Sequence, residues 1–423
     1  MPEGERRGFA ALSVPMFRWF AATSLLSFMN VWMLRIAQDW LVLELTNGSG
    51  LQLGFTTFMQ LVPGVLLGLW GGVLADRWPK LRVIALSELI VCAAALSVGI
   101  LHVTGHVRVW HVIVAATVSG VGAALGTPAR QATPPEMVPP PLFLGAISTI
   151  NATQSLARIA GPAVAGLVVS IFGLSTQFVA SAVLSLLLAE QLLRMSRVVV
   201  LPRAVRAHVD RARGAAAYMA TRRDLALVLP VLCICCALGW NSALLIALMA
   251  RNEFGTGPGG LALLNGLFAV GAVGATIALG VRRAAPSKRT LVHAAVVFGV
   301  LSCVAAVMPT FVTFALLLVP VGAASFGSAT IFSVAYQLSI PSELRGRMTA
   351  LYYTTTMGAV PFGALVLGAI ADQLGTRWSY FVSGIGIVIS VLGGVAFSFA
   401  PRLRKVRWLP PAVEQAGAKP SSV

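Results

Sequence analysis

The chain has 423 residues, 57% of them hydrophobic and 11% charged, with a mean hydropathy of +0.85 and a formal net charge of +17. Soluble domains carry roughly a quarter of their residues as Asp, Glu, Lys or Arg, so this depletion excludes a water-soluble globular protein. Apolar segments of about 20 residues recur along the chain, each able to cross a bilayer core of about 30 Å, and the sequence reads as a polytopic membrane protein.

Lipid offers no partner to an exposed backbone amide, so these segments are predicted as helices. About twelve are expected, near 19–45, 51–75, 82–103, 110–130, 143–170, 174–194, 225–250, 259–281, 289–308, 311–337, 345–371 and 377–399. A short N-terminal segment (1–18) precedes them, and a tail (400–423) follows. The first apolar run is too long for the h-region of a signal peptide, and no small-residue cleavage site follows it. Residues 195–224 are rich in arginine and divide the chain into bundles 19–194 and 225–399. Within that linker, Val209, Ala212, Ala216 and Met219 share one helical face, as expected of a helix lying along the membrane surface.

Most Lys and Arg lie in links that alternate along the chain. About 26 fall on one side and about 3 on the other, which places both termini in the cytoplasm of a cell-membrane protein, in the manner of a bacterial inner membrane. The charge then reports orientation and contact with anionic lipid headgroups, and nucleic acid is not expected as a partner. Cys92, Cys233, Cys235, Cys236 and Cys303 all lie inside apolar runs and read as small packing residues. His102, His106 and His111 cluster by one link, but no metal site is assigned to them, and Glu253 and Asp372 near span ends read as solvated.

The halves echo each other weakly. "QATPPEMV…GPAVAGLVVSIFG" (131–173) is similar to "QLSIPSELR…VPFGALVLGAIADQLG" (337–375): a polar link with Pro and Glu, a span rich in Gly and Pro, then a closing glycine. Two such halves facing a midplane cavity are a transporter layout.

Between spans two and three stands "GGVLADRWPKLR" (71–82). Its Gly72, Leu74, Ala75, Asp76 and Arg77, with Lys80 and Arg82 behind them, resemble the loop signature of the major facilitator superfamily, although Pro79 stands where the family has glycine. "RIAQDWLVLELT" (35–46), "TPARQATPPEMV" (127–138), "LARIAGPAVAGLV" (156–168) and "IPSELRGRMTALY" (340–352) narrow the resemblance to the branch of enterobactin exporters and Tap-like drug efflux proteins. It implies an all-α membrane fold of twelve helices, in two six-helix pseudo-repeats around a central cavity. In that fold Asp76 can face the N-terminus of span eleven near Arg345–Thr349, an interaction worth about 0.3–2 kcal/mol, and lock a cytoplasmic gate. The alternative for the basic residues is positive-inside topology alone. "RIAGPAVAG" resembles the exporter pattern of span five, with Pro162 freeing one backbone bond and Gly161 and Gly166 allowing a kinked, tight contact with a helix of the other half. Ordinary helix packing is the other reading.

Charges inside the membrane are costly and therefore informative. Arg35 and Asp39 share one face of span one at i, i+4, and Arg158 lies in span five. Movement of either arginine can switch Asp39 between protonated and ionised and so couple a proton to cargo, or the charges can form a static pair. Asp39 reads as the only acidic residue clearly within a span and away from its ends, although Glu88 lies about six residues into span three. Thr117 stands where many drug–proton antiporters carry arginine, and "GVRRAAPSKR" (280–289) lacks the aspartate of the loop signature. Phe28, Trp32, Phe55 and Phe58 are candidates to line a cargo pocket, with packing as the alternative.

The resemblance implies a secondary exporter of a hydrophobic or amphipathic small molecule (a drug, siderophore or secondary metabolite), working as a monomer by alternating access with proton antiport. The proton gradient is its energy source, and no cofactor is expected. A facilitator or lysophospholipid translocator without proton coupling is the alternative. A membrane-embedded enzyme or sensor is disfavoured, since no HExxH, nucleophile elbow, converging aspartate pair or phosphate loop occurs.

Overall fold

A computed structural model describes residues 10–198, 232–281, 288–338 and 345–398, and every described element is a helix. The linker helix expected within 195–224 lies outside this set beyond Val198. In chain order the long helices are α1 (Pro15–Leu45), α2 (Gly50–Arg77), α3 (Lys80–Val103), α4 (Val109–Ala132), α5 (Phe143–Val198), α6 (Leu232–Glu253), α7 (Pro258–Val281), α8 (Lys288–Ala306), α9 (Phe311–Leu338), α10 (Arg345–Leu374) and α11 (Thr376–Ser398). Among the described residues, eleven helices are long and apolar enough to cross a membrane.

The difference from the expected twelve lies in α5. Its two arms, 143–172 and 174–198, are continuous except at Gly173, where φ is 82° and ψ is 167°. A side chain disfavours that backbone, so glycine at this position redirects the chain with no further link. The other closing glycine of the weak repeat, Gly375, also has positive φ (101°) and separates α10 from α11.

The links are short because capping is built into them. Between α1 and α2, Asn47 (φ 52°) and Gly48 (φ 91°) are left-handed, and the Gly48 amide donates to the Leu43 carbonyl at 2.8 Å. Ser49 then caps α2 by accepting from the Gln52 amide. Between α2 and α3 only Trp78 and Pro79 intervene. Pro79 is the residue before α3, where its missing donor costs nothing, so the departure from the family's glycine is absorbed.

The contacts group the chain into two compact units. The first holds α1–α5 together with 242–269 and 364–379; the second holds 232–241, 270–363 and 380–398 among the described residues. Lipid tails are as apolar as leucine, so helices in a bilayer associate through close packing and buried polar bonds. In the first unit α1 and α3 pack along α5, and α4 packs on α2 and α3. Gly122 and Gly126, one turn apart on α4, abut Ser87 of α3, and Gly120 abuts the Gln60 carbonyl of α2. Asn30 of α1 donates to the Ser181 carbonyl (3.1 Å) and the Ser185 hydroxyl (2.9 Å) of α5. Phe17, Phe20, Ile84, Ile150 and Leu192 fill the adjoining core.

The second unit follows the same rule. A Cβ on Gly299 of α8 would lie 2.7 Å from the Gly384 carbonyl of α11. Asn241 donates to the Val360 carbonyl at 3.1 Å, and Tyr380 meets Phe314 edge to face at 5.8 Å. The cysteines are free thiols; Cys235 sits 3.1 Å from the Ser390 hydroxyl and lines a small cavity with Leu232, Trp240, Phe298 and Phe332.

Candidate functional site

Two polar clusters lie inside the first unit. The first surrounds Asp39. α1 buries Gln38 and Asp39 in succession, and α2 presents Gln60 to both. The Gln60 Nε2 donates to Gln38 Oε1 at 3.1 Å and to Asp39 Oδ1 at 3.3 Å. Arg35, one turn earlier, is half-buried with its guanidinium 5.2 Å from the Trp32 ring centroid. None of the described ion pairs joins Arg35 to Asp39. Arg35 Nε, Gln38 Nε2, Thr57 Oγ1 and Gln60 Oε1 are buried without a hydrogen-bond partner. Each such atom costs about 1–3 kcal/mol if it stays unmet. Those of Gln38, Gln60 and Arg35 lie around one carboxylate, where they can take up water, a proton or a polar cargo group. Arg158 lies half-buried on the first arm of α5.

The second cluster was not legible as a site in the sequence. Glu88 of α3 is 3% exposed and pairs at 2.8 Å with Arg130 of α4, itself 3% exposed. Ser27 of α1 donates to Glu88, Arg130 donates to Ser24 at 3.3 Å, and the Arg130 guanidinium rests 5.3 Å from the Phe28 ring centroid. Asp39 is therefore not the only deep carboxylate. The signal available was Glu88 six residues into an apolar run; its partner looked like one more basic residue at the end of a span. Phe28 belongs to the packed core around this pair.

The gate signature divides. Gly72 and Asp76 fall in the last turns of α2, with side chains outside the described set, as are those of Arg345–Thr349. Arg77 and Arg82 are exposed. Lys80 is buried and pairs with Glu136 in the turn after α4. The exporter motif divides too. A Cβ on Gly161 would lie 2.7 Å from the Trp32 Cβ of α1, so this glycine packs within its own half. One on Gly166 would lie 2.5 Å from Ala262 Cα of α7. Pro162 is buried within α5, whose one non-helical residue is Gly173. A Gly166→Leu variant must push these backbones apart, an overpacking cost of about 1–3 kcal/mol, and should lower the thermal unfolding midpoint in detergent.

Phe55 and Phe58 stack at 6.5 Å with Phe55 exposed, and Trp32 is half-buried against the core. Thr117 returns its hydroxyl to the Ile113 carbonyl at 2.8 Å. His102 bonds Ser175 (2.6 Å) and His111 accepts from the Arg108 amide (3.0 Å), so each has a local partner. Asp372 and Glu253, expected to be merely solvated, both have partners. Asp372 accepts from the Ser49 hydroxyl and the Gly50 and Leu51 amides, and Glu253 pairs with Arg377 at 2.8 Å.

Helices of this length, joined through close-packed glycines and holding buried charge in their interior, are the parts of a transporter. The sequence matches the transmembrane secretion effector family of the major facilitator superfamily over residues 6–410. The chain belongs to that family. Among its curated relatives, the staphyloferrin A transporter of Staphylococcus aureus is 32% identical over 170 residues, covering 40% of this chain and 42% of that transporter. The multidrug efflux pump Tap of Mycolicibacterium fortuitum is 26% identical across 88% of this chain and 92% of its own. Macrolide efflux protein A of Streptococcus pyogenes is 23% identical across 81% and 86%. Among solved structures, the nucleoside transporter NupG superposes with a TM-score of 0.71 at 13% identity, covering 91% of this chain and 99% of that one. The D-xylose–proton symporter superposes with a TM-score of 0.68 at 14% identity, covering 92% and 98%. These two likenesses show the major facilitator fold. The protein is thus a multi-pass membrane transporter of an efflux-type family and not an enzyme.

Proposed function

We propose that this secretion effector exports an amphipathic small molecule by alternating access and draws on inward proton flow. The buried Asp39 cluster carries the reading. A carboxylate in a bilayer-spanning helix, facing a neighbouring helix and ringed by polar atoms that lack partners, is expensive to keep unless it exchanges a proton or a cargo group. Arg35 and Arg158 set its charge balance as the helices shift. The six-helix bundles 19–194 and 225–399 are the moving bodies, and Trp32, Phe55 and Phe58 supply apolar contact to the cargo. Gly72, Asp76, Arg77, Lys80 and Arg82 act at the cytoplasmic gate, while Gly161, Pro162 and Gly166 set the packing of the fifth span. The named cargoes of the relatives, a siderophore and macrolides, define the chemical range to test first.

Purified protein in proteoliposomes loaded with a macrolide or a ferric-siderophore precursor should extrude cargo faster when a pH gradient is imposed. Extrusion indifferent to the gradient would replace antiport with facilitated or lipid-like translocation.

A further inference from the structure

α2 and α10 end in the same pattern. α2 closes on Gly72-Val-Leu-Ala-Asp76, and α10 on Gly368-Ala-Ile-Ala-Asp372. The α10 copy is fully placed, within the first unit, and the glycine and aspartate it shares with α2 act on one target: the start of α2. The Asp372 carboxylate accepts from the Gly50 amide (2.5 Å), the Leu51 amide (3.0 Å) and the Ser49 hydroxyl (2.8 Å). These amides are among the first four of α2, which have no partner inside their own helix. A carboxylate there meets both the open donors and the positive end of the helix dipole.

Beneath the carboxylate the two backbones touch. A Cβ on Gly50 would lie 2.7 Å from the Gly368 carbonyl and 2.8 Å from the Ala371 Cβ, and one on Gly54 would lie 3.4 Å from Gly368 Cα. Gly50 and Gly54 on α2 thus cross Ala364 and Gly368 on α10, four-residue spacings that bring small residues face to face. Two further ties flank the crossing. Asn252 at the end of α6 donates to the Gly48 carbonyl at 2.8 Å, and Glu253 beside it pairs with Arg377. Asp372, Leu51 and Asn252 are exposed and Ser49, Glu253 and Arg377 half-buried, while Gly48 and Gly50 beneath them are buried, so water can compete for the outer bonds first when the crossing opens.

We infer that Asp372 is a releasable latch that holds the 46–49 end of the transporter shut by capping α2 from α10. This rests on the alternating-access reading given above and extends it to a residue that reading did not include. Apolar crossing alone gives no reason for a carboxylate shared among three donors on another helix. A permanent structural tie would be expected to be buried, whereas this carboxylate is itself exposed, with the Ser49 hydroxyl and the Leu51 amide beside it open to rehydration. When the bundles separate, the α2 amides and the carboxylate each pass to water. The Gly–Ala crossing then loses its closest contacts without leaving a buried unpaired charge.

The test uses the full chain with its five cysteines replaced and one reporter cysteine added, purified into nanodiscs without cargo. Leu53→Cys reports the crossing, since Leu53 is fully buried one turn past Gly50. Leu81→Cys, buried in the core of the first bundle, reports unfolding. Labelling by a bulky hydrophilic maleimide at position 53 should rise about tenfold on Asp372→Asn, in line with loss of a charge-assisted helix cap, while labelling at position 81 stays unchanged. Asn252→Ala should move position 53 in the same direction by a smaller factor. Unchanged labelling at 53 in Asp372→Asn overturns the latch, and so does an equal rise at 53 and 81 in both variants, which would make the contact a fold tie. Because no cargo is present, a failure of export in the parent protein would remove the transport reading and leave this result standing.

Discussion

Arg130→Met should melt well below the parent protein, by about 10 °C in detergent or nanodiscs, because removal of one partner of a buried ion pair leaves an uncompensated charge at a cost of about 3–5 kcal/mol. Glu88 is almost fully enclosed, and apart from Arg130 its described partner is the Ser27 hydroxyl. A single hydroxyl cannot hold a carboxylate in that surrounding. The same change removes the donor to Ser24 and the cation resting on Phe28, so α1, α3 and α4 lose a shared anchor. The double variant Glu88→Gln/Arg130→Met should recover much of the loss, since two apolar or neutral groups of similar volume need no counter-charge. An Arg130→Met protein that unfolds at the parent's temperature would show that water reaches this pair and that it is no anchor.

Asp39→Asn should abolish the response of export to a pH gradient while the protein still folds and inserts. Asparagine keeps an oxygen that can accept from Gln60 Nε2, so the contact between α1 and α2 survives. What goes is the group that can gain and lose a proton beside Arg35. The stability effect should be small, as Arg35 and Asp39 share no described ion pair and Arg35 retains its contact with Trp32. Initial efflux rates in proteoliposomes, with and without the gradient, measure the effect. The matching Glu88→Gln variant belongs in the same series. If it loses the gradient response and Asp39→Asn keeps it, the coupling carboxylate is the one on α3.

These two clusters show where reading the chain stops. Asp39 stood out because it interrupts a long apolar run and has arginine one turn away, both properties of local sequence. Arg130 did not, because it lies in "TPARQATPPE" at the end of a span, where basic residues normally face water and lipid headgroups. Only the approach of α4 to α3, set by Gly122 and Gly126 against Ser87, carries it inward to Glu88. Asp372 was misleading for the opposite reason. A carboxylate near a helix end is solvated unless some other chain segment brings it donors, and the donors here are residues 49–51, more than 300 positions earlier. Gly161 and Gly166 were legible as close-contact residues, but which helix each one meets was not.

The sequence by itself determined that the chain is a bundle of membrane helices, where most of those helices begin and end, and which glycines close them. Those properties follow from the cost of unpaired backbone in lipid and from local φ, and both are encoded over a turn or two of chain. The partners of Glu88, Lys80, Asp372 and Glu253 were decided by the tertiary structure alone. A charge records its need for a counter-group in the sequence, but the group that answers it is chosen by which helices the small residues allow to touch.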